Sequence, residues 1–395
     1  MSIDRQTRNR IDRYIDRPNT GRALPFNARS RAARPNDSGP WASDTVAHLA
    51  DPENASPVGN PTAGAREGNG TPVFLDERVY FGQIEAAEKE QLTEELDQFL
   101  MANTWPSDAA SQAQIGKAFV EHIKRAVPRI SQALQKAKQG KYDAVYITGL
   151  PVDLNCARIV LLAMTQILGE PFNYSCQNGG ELVMELRPIE GSVGNTNSTR
   201  DDFALHTDDA AVPDAARTEF ICLYGIVNPP NTLTGFAPTI DALRDLRAST
   251  SFVNALVDVL KERRFRFRFP TSFNFEEELW SGPCSVIKVN DDGNAETRFP
   301  SFAVKPVRDD DFIAHAAIAV FRASLELNVF EVPIDQGCFL AFNNSRGVHK
   351  RGAIGKGERL VLRAYSIQSL DFLREVTGEP GPIFSIDPIV EIAGT

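Results

Sequence analysis

The sequence predicts an α+β, mostly β protein with a double-sheet jelly-roll core (a double-stranded β-helix, as in cupins) and flanking helices. Many short apolar segments of strand length, separated by Gly, Asn and Pro clusters, occupy the second half of the chain. Longer segments with apolar residues three and four positions apart lie before and between these strands, and their spacing predicts helices. Short strands covered by helices favour two packed sheets.

The elements before the core motifs are mainly helical. Helices are predicted at about 83–101 and 107–138 from their apolar periodicity. The segment YDAVYITGLP is predicted as a buried strand that ends at Gly-Leu-Pro, and 155–168 as a compact apolar helix closed by Gly169. Strands are then predicted at 172–176, 182–186, 203–206 and 219–227.

The remaining elements alternate between helices and short strands. Helices are predicted at 240–247, 251–262 and 309–327, and strands at 264–270 (RFRFRFP), 284–289 and 296–304. The segment EVPIDQGCFLAFNNSRGVHKRGAIGKGERLVLRAYSI is interpreted as four strands. A tight turn at Asp335-Gln336-Gly337 separates the first two, and a short strand carrying His349 comes third.

The N-terminal segment differs from the rest of the chain. Residues 1–72 are rich in Arg, Pro, Asn, Gly, Ser and Ala without a helix or strand period, which predicts an extended, flexible arm. The first 40 residues carry nine arginines and four aspartates, so a basic arm for an acidic partner or for oligomer contacts is the alternative. Residues 73–395 are predicted to form a single domain with its core at about 140–370.

Bulk composition excludes several classes of protein. The formal net charge of −10 gives no reason to expect binding to nucleic acid or to acidic membranes. No apolar stretch is long enough to span a bilayer, and the N-terminus lacks the apolar region of a secretory signal. Five scattered cysteines without CxxC spacing are typical of reduced thiols, so a cytoplasmic location is expected.

A candidate metal site is encoded by His206, Asp208 and His349. On a strand, side chains two residues apart point to the same face, so His206 and Asp208 are expected to lie together. His349, on a later strand, would complete the set from a neighbouring position. Two imidazoles and one carboxylate are the ligand set of non-haem Fe(II) oxygenases, and they leave three positions on the metal open.

Two arginines near the C-terminus indicate an anionic ligand. Arg359 and Arg363 are four residues apart on a predicted strand and therefore share one face. Charged residues on an apolar strand are costly to bury without a partner. A guanidinium binds a carboxylate through two parallel hydrogen bonds, so a dicarboxylate co-substrate would suit this face.

Four stretches carry a resemblance to a known family: GGELVMELRPIEG, GNTNSTRDDFALHTDDA, ARTEFICLYGIVNPPNTLTGFAPTIDAL and GCFLAFNNSRGVHKRG with GERLVLRAYSI. The sequence resembles the clavaminate synthase-like branch of the Fe(II)- and 2-oxoglutarate-dependent dioxygenases, which is related to the taurine dioxygenases. This resemblance covers about residues 140–370. It implies an enzyme that uses Fe(II), 2-oxoglutarate and O2, with a lid at about 270–300.

The same resemblance implies roles for individual residues. His206, Asp208 and His349 would bind Fe(II), and Arg359 would bind the far carboxylate of 2-oxoglutarate. The threonine that shares this carboxylate would be Thr239, with Thr234 as the alternative. The implied substrate-binding residues are Arg363, which would face a carboxylate of the substrate, and Glu185, Asn195 and Ser198, which would line the pocket.

The implied activity is hydroxylation of an unactivated C–H bond in a free amino acid or related small carboxylate, with succinate and CO2 as co-products. Phe299-Pro300-Ser301 follow Arg298 where arginine-specific members carry acids, which argues against a guanidinium substrate. One alternative is a hydroxylase of a carrier- or peptide-tethered amino acid, with the arginine-rich arm recruiting the carrier. An alternative from another class is a jelly-roll protein that binds a carboxylate without chemistry.

Overall fold

A computed structural model of the protein describes residues 78–192, 197–273, 275–290 and 293–394. The expected N-terminal arm, residues 1–72, lies outside the described residues. Within the described ranges, no helix combines the length and the apolar character needed to cross a membrane.

The α-helices of the described residues are α1 to α9. Their bounds are Ala86–Ala102, Ala109–Ala126, Pro128–Lys138, Leu154–Leu168, Thr239–Arg247, Ser251–Leu260, Phe312–Leu327, Asp371–Thr377 and Asp387–Ala393. Asp153 begins α4 by accepting hydrogen bonds from the backbone N–H groups of Asn155 and Cys156. The single helix predicted at 107–138 is wrong, because Pro128 cannot continue α2 and instead begins α3.

Strands β1 to β16 form the sheets. Their bounds are Val79–Gln83, Ala144–Thr148, Glu170–Tyr174, Met184–Leu186, Phe203–His206, Phe220–Val227, Leu233–Pro238, Phe265–Phe267, Ile287–Val289, Ala295–Thr297, Val304–Pro306, Phe330–Pro333, Phe339–Asn343, Gly347–Arg351, Leu360–Ile367 and Ile383–Phe384. The sequence predicts no strand at β7, where Gly235 and Pro238 weaken the strand signal. The predicted tight turn is present before β13, with Gly337 at a φ of +72°.

The larger sheet has eight strands in the order β1-β2-β13-β6-β15-β3-β16, with β4 also paired to β15. Its long central strand β15 alternates between two environments. Leu360, Leu362 and Ala364 belong to the apolar cluster that also contains the α4 side chains. Val361 and Tyr365 belong to the other cluster, on the opposite face of the sheet.

The smaller sheet has four strands in the order β12-β7-β14-β5. It packs against the larger sheet through aromatic contacts, since the ring centroid of Phe236 on β7 lies 5.4 Å from that of Phe342 on β13. Phe342 in turn contacts the imidazole of His349 on β14, at 4.7 Å between centroids. The described residues therefore form a mixed α+β fold in which two sheets face each other, with the histidine between them.

Candidate metal centre and adjoining cavity

The register of two antiparallel strands brings the two histidines together. His349 on β14 is paired directly with His206 on β5, and their ring centroids lie 4.0 Å apart. Nε2 of His206 is 3.3 Å from Oδ1 of Asp208, and Nε2 of His349 is 3.9 Å from the same oxygen. All three ligand atoms lie within 4.8 Å of one another. The three atoms therefore surround one position that a single metal ion could occupy.

Hydrogen bonding sets the tautomer of His206. Its Nδ1 lies 2.8 Å from the carbonyl oxygen of Ala204, to which only an N–H can donate. The proton therefore sits on Nδ1, and Nε2 presents its lone pair to the shared position. Phe203 stacks on the same ring at 3.9 Å between centroids and fixes its plane. The imidazole is thus oriented as a metal ligand before any ion binds.

The charge states of the site also suit a cation. Burial by itself would raise the pKa of Asp208, but His206, His349 and Arg363 outweigh it and hold this pKa well below its usual range. Burial, together with the neighbouring His206, lowers the pKa of His349 well below its usual value. An ionised carboxylate and a neutral imidazole are the forms that bind metal. The donor set therefore fits a divalent first-row metal such as Fe(II).

A cavity opens beside these three residues. Its apolar wall is formed by Leu186, Phe203, Ile221, Leu223 and Phe342. Three buried arginines, Arg351, Arg359 and Arg363, also line it, and their exposed fractions are only 6%, 4% and 8%. Such a concave, largely apolar space with a few charged groups is typical of small-molecule sites.

The three arginines give the cavity a positively charged lining. Burial and the nearby Arg351 and Arg363 lower the pKa of Arg359 to about 10, since each of them disfavours its charged form. Nε of Arg359 and Nε of Arg363 are buried without a hydrogen-bond partner among the described residues. A bound carboxylate would supply the missing acceptors and relieve the repulsion between like charges.

Comparison with solved structures gives several similar folds, whereas no family model matches the sequence. One is asparagine oxygenase in complex with Fe(II), 2S,3S-3-hydroxyasparagine and succinate, with 19% identity, a TM-score of 0.66, and coverage of 77% of this chain and 99% of that chain. Another is the non-heme iron oxygenase OrfP with Fe and alpha-ketoglutaric acid, with 19% identity, a TM-score of 0.64 and the same coverages. The chain has the fold of these non-heme iron oxygenases.

The oxygenase fold confirms, at the level of architecture, the resemblance noted in the sequence. OrfP was also solved with Fe, succinate and (3R,4R)-dihydroxy-L-arginine, again with 19% identity, a TM-score of 0.64, and coverage of 77% of this chain and 99% of that chain. Both neighbours are thus described in complex with a hydroxylated amino acid and succinate. At these identities the likeness concerns the fold, and the chemistry of this chain is argued below from its own residues.

Within this oxygenase fold, the two candidate threonines occupy different places. Thr234 on β7 lines the cavity and pairs with Arg351 on β14, in the register that pairs Phe236 with His349. Thr239 is the first residue of α5, and its backbone N–H donates to the carbonyl oxygen of Arg346. Its buried hydroxyl has no hydrogen-bond partner among the described residues. Of the two threonines, Thr234, the alternative of the sequence analysis, is therefore the one that lines the cavity together with Arg351.

The placement of Glu185 corrects its assignment to the substrate pocket. Glu185 lies between Met184 and Leu186 on β4, and strand alternation turns it to the opposite face. There its carboxylate accepts a hydrogen bond of 2.7 Å from Arg158 on α4. The side chains of β4 that face the cavity are its neighbours: Leu186 lines it, and the sulfur of Met184 accepts a hydrogen bond from Arg363.

The loop before β5 is only partly described. Asn195, a predicted substrate-binding residue, lies outside the described residues. Ser198 is described, and its hydroxyl lies 2.9 Å from that of Ser192, so it contributes to the structure of the loop. Asn197, which lies between these two residues in the sequence, lines the cavity.

Two further residues that contact Asp208 were not identified from the sequence. The hydroxyl of Tyr365 on β15 donates to Oδ2 of Asp208 at 2.6 Å. The side chain of Asn344, just after β13, hydrogen-bonds both the backbone N–H and the backbone carbonyl of Asp208. Tyr365 could have been placed near the site, because it is two residues beyond Arg363 on the same face. Asn344 had no comparable signal, since its contact with Asp208 spans 136 positions of sequence.

Proposed function

We propose that this protein is an Fe(II)- and 2-oxoglutarate-dependent dioxygenase that hydroxylates an unactivated C–H bond of a free amino acid or related small carboxylate. The observation that carries the proposal is the convergence of His206, Asp208 and His349 beside a cavity lined by buried arginines. Iron, when bound, supplies the redox chemistry in which O2 oxidises the substrate while 2-oxoglutarate is decarboxylated to succinate and CO2.

In this proposal the two facing sheets form the double-stranded β-helix core, and residues 73–395 form one catalytic domain with a lid at about 270–300. The protein's own part in the reaction is to bind, orient and exclude water. The apolar wall of the cavity keeps the reacting C–H bond in a dry environment, and its fixed arginines hold the two small molecules in place.

The co-substrate is assigned to Arg359 and Thr234. Arg359 is buried next to Arg351, and Arg351 is paired across the strands with Thr234, so these three residues lie close together in the cavity lining. A guanidinium and a hydroxyl there would hold the far carboxylate of 2-oxoglutarate. Arg363, nearer to Asp208, is assigned to a carboxylate of the substrate.

The choice between the two threonines gives a first prediction. We expect Thr234→Val to raise the apparent KM for 2-oxoglutarate by about tenfold, because it removes one hydrogen bond to a charged group. Thr239→Val is the matched control, since it replaces a buried hydroxyl that has no described partner. Steady-state succinate formation at varied 2-oxoglutarate measures both variants. A larger KM change in Thr239→Val would return the assignment to that residue.

The substrate class is tested by turnover. Purified protein is supplied with Fe(II), 2-oxoglutarate and each free amino acid in turn, and succinate and products are measured by mass. We expect at least one neutral or acidic amino acid to stimulate succinate formation and to yield a product heavier by one oxygen atom. Succinate formation that no amino acid stimulates would contradict the free-substrate proposal. Iron binding without any O2-dependent succinate would instead indicate a carboxylate-binding protein.

A further inference from the structure

The two oxygens of the Asp208 carboxylate have different surroundings. Oδ1 is the oxygen turned towards Nε2 of His206 and Nε2 of His349, at 3.3 and 3.9 Å. Oδ2 accepts the 2.6 Å hydrogen bond from the hydroxyl of Tyr365 and lies 3.5 Å from Nη1 of Arg363. One oxygen therefore faces the metal position, and the larger sheet holds the other.

The backbone of Asp208 is held as well. The side-chain oxygen of Asn344 accepts from the N–H of Asp208 at 2.8 Å, and its amide group donates to the carbonyl oxygens of Asp208 at 3.0 Å and Thr218 at 2.8 Å. Asn344 is completely buried, so water cannot compete for these bonds. With the backbone fixed, the remaining freedom of Asp208 is rotation of its carboxylate, which the contacts to Oδ2 restrict.

Tyr365 is well suited to hold that carboxylate. Its side chain is 1% exposed, and its ring packs against Phe172 and under the guanidinium of Arg363. A buried tyrosine hydroxyl needs a hydrogen-bond partner, and Asp208 provides it. Without its hydroxyl, the ring of Tyr365 would still fill the same space. The contact with Asp208 is made by the hydroxyl, so removing the hydroxyl removes that contact and leaves the packing of the ring.

We propose that Tyr365 is a positioning residue that holds Oδ2 of Asp208 away from the metal position, so that this carboxylate offers a single oxygen as ligand. This inference rests on the proposed function. A carboxylate without that restraint can bind a metal through both oxygens. The second oxygen would then take one of the three positions that the protein ligands leave open, and a chelating 2-oxo acid would fill the other two, so that none would remain for O2.

The test compares Tyr365→Phe with Tyr224→Phe, using full-length protein and no amino-acid substrate. Tyr224 is a matched control because it is also buried, but it lies in the opposite cluster and its hydroxyl donates to the carbonyl oxygen of Pro151. Metal-free protein is titrated anaerobically with Fe(II), and the loaded protein is then titrated with 2-oxoglutarate. Chelation is followed by the visible charge-transfer absorption of an Fe(II)–2-oxo acid chelate. Nitric oxide, which binds where O2 would bind, is then added to the chelate, and its complex is measured by electron paramagnetic resonance.

We expect Tyr365→Phe to bind Fe(II) within about threefold of the wild-type affinity, since the second oxygen compensates for the missing restraint. Its affinity for 2-oxoglutarate should also stay within about threefold, since two positions remain for the chelate. Its affinity for nitric oxide should fall by at least about tenfold, because the second oxygen of Asp208 would occupy the last position. Tyr224→Phe should match the wild type in all three titrations.

Wild-type affinity of Tyr365→Phe for nitric oxide would overturn the inference. If the metal-free variant melts at a lower temperature and binds both Fe(II) and 2-oxoglutarate more weakly, the role of Tyr365 is purely structural, and the inference is overturned as well. Tyr365→Met, which also lacks a donor to Oδ2, repeats the nitric oxide titration if Tyr365→Phe does not fold, and wild-type affinity there would also overturn it. A wild-type protein that binds no Fe(II) would instead overturn the proposed function itself.

Discussion

We expect His349→Ala to reduce Fe(II) affinity by at least about a hundredfold and to abolish succinate formation. Loss of this imidazole leaves only His206 and Asp208 as metal ligands. Loss of a residue that only supports a metal ligand already costs about 10- to 100-fold in metal affinity, so loss of a ligand should cost at least as much. Nδ1 of His349 has no hydrogen-bond partner among the described residues, so the substitution removes no described hydrogen bond from that nitrogen. Anaerobic Fe(II) titration and activity measure the effect.

The melting temperature of the metal-free protein separates loss of metal from loss of fold. We expect it to change little in His349→Ala, because the imidazole packs mainly against the rings of Phe342 and His206, which stay in place. His315→Ala is the control, since His315 is an exposed histidine on α7 whose Nε2 lies 3.1 Å from the carbonyl oxygen of Asp309. Wild-type iron affinity in His349→Ala would remove this residue from the ligand set and with it the proposed centre.

Arg359→Met is expected to raise the apparent KM for 2-oxoglutarate by about 10- to 100-fold, which corresponds to about 1.5–3 kcal/mol for hydrogen bonds to a charged group. Methionine keeps an unbranched apolar chain and removes the charge. Because Arg351 and Arg363 repel the buried guanidinium, the metal-free variant should be at least as stable as the wild type. Fe(II) affinity should stay unchanged, since Arg359 is not one of the three candidate metal ligands.

A second 2-oxo acid sharpens this test. The wild type should prefer 2-oxoglutarate over pyruvate, which has no far carboxylate, and Arg359→Met should lose most of that preference. Arg308→Met is the control, because Arg308 is exposed and pairs with Asp310 at the surface. Retention of the full preference in Arg359→Met would show that another cation binds the co-substrate, and Arg351 would then be the first candidate.

The metal centre was the part of the site that the sequence predicted best. His206 and Asp208 are two positions apart, and a strand end places them together without any long-range information. His349 joined them as predicted, because its strand pairs with β5 in a register that sets the two histidines opposite each other. Arg359 and Arg363 likewise share one face of β15 through simple alternation, and both line the cavity.

Other assignments were wrong or incomplete for identifiable physical reasons. Glu185 was placed in the pocket by its position within a matching stretch, yet it has the opposite orientation to Met184 and Leu186 and pairs with Arg158. Thr239 was preferred to Thr234 while β7 was not recognised as a strand. Once β7 pairs with β14, Thr234 is set beside Arg351.

The sequence by itself determined the local features of this protein. These are the helices and strands that follow from apolar periodicity, the pair of metal-ligand candidates at a strand end, and the common face of two arginines. These features depend on residues a few positions apart, so backbone geometry decides them. Only the tertiary structure decided what holds Asp208, because Tyr365 lies 157 positions away and Asn344 lies 136 positions away along the chain. Contacts of that kind follow from the packing of one sheet against another, for which no short-range pattern in the sequence exists.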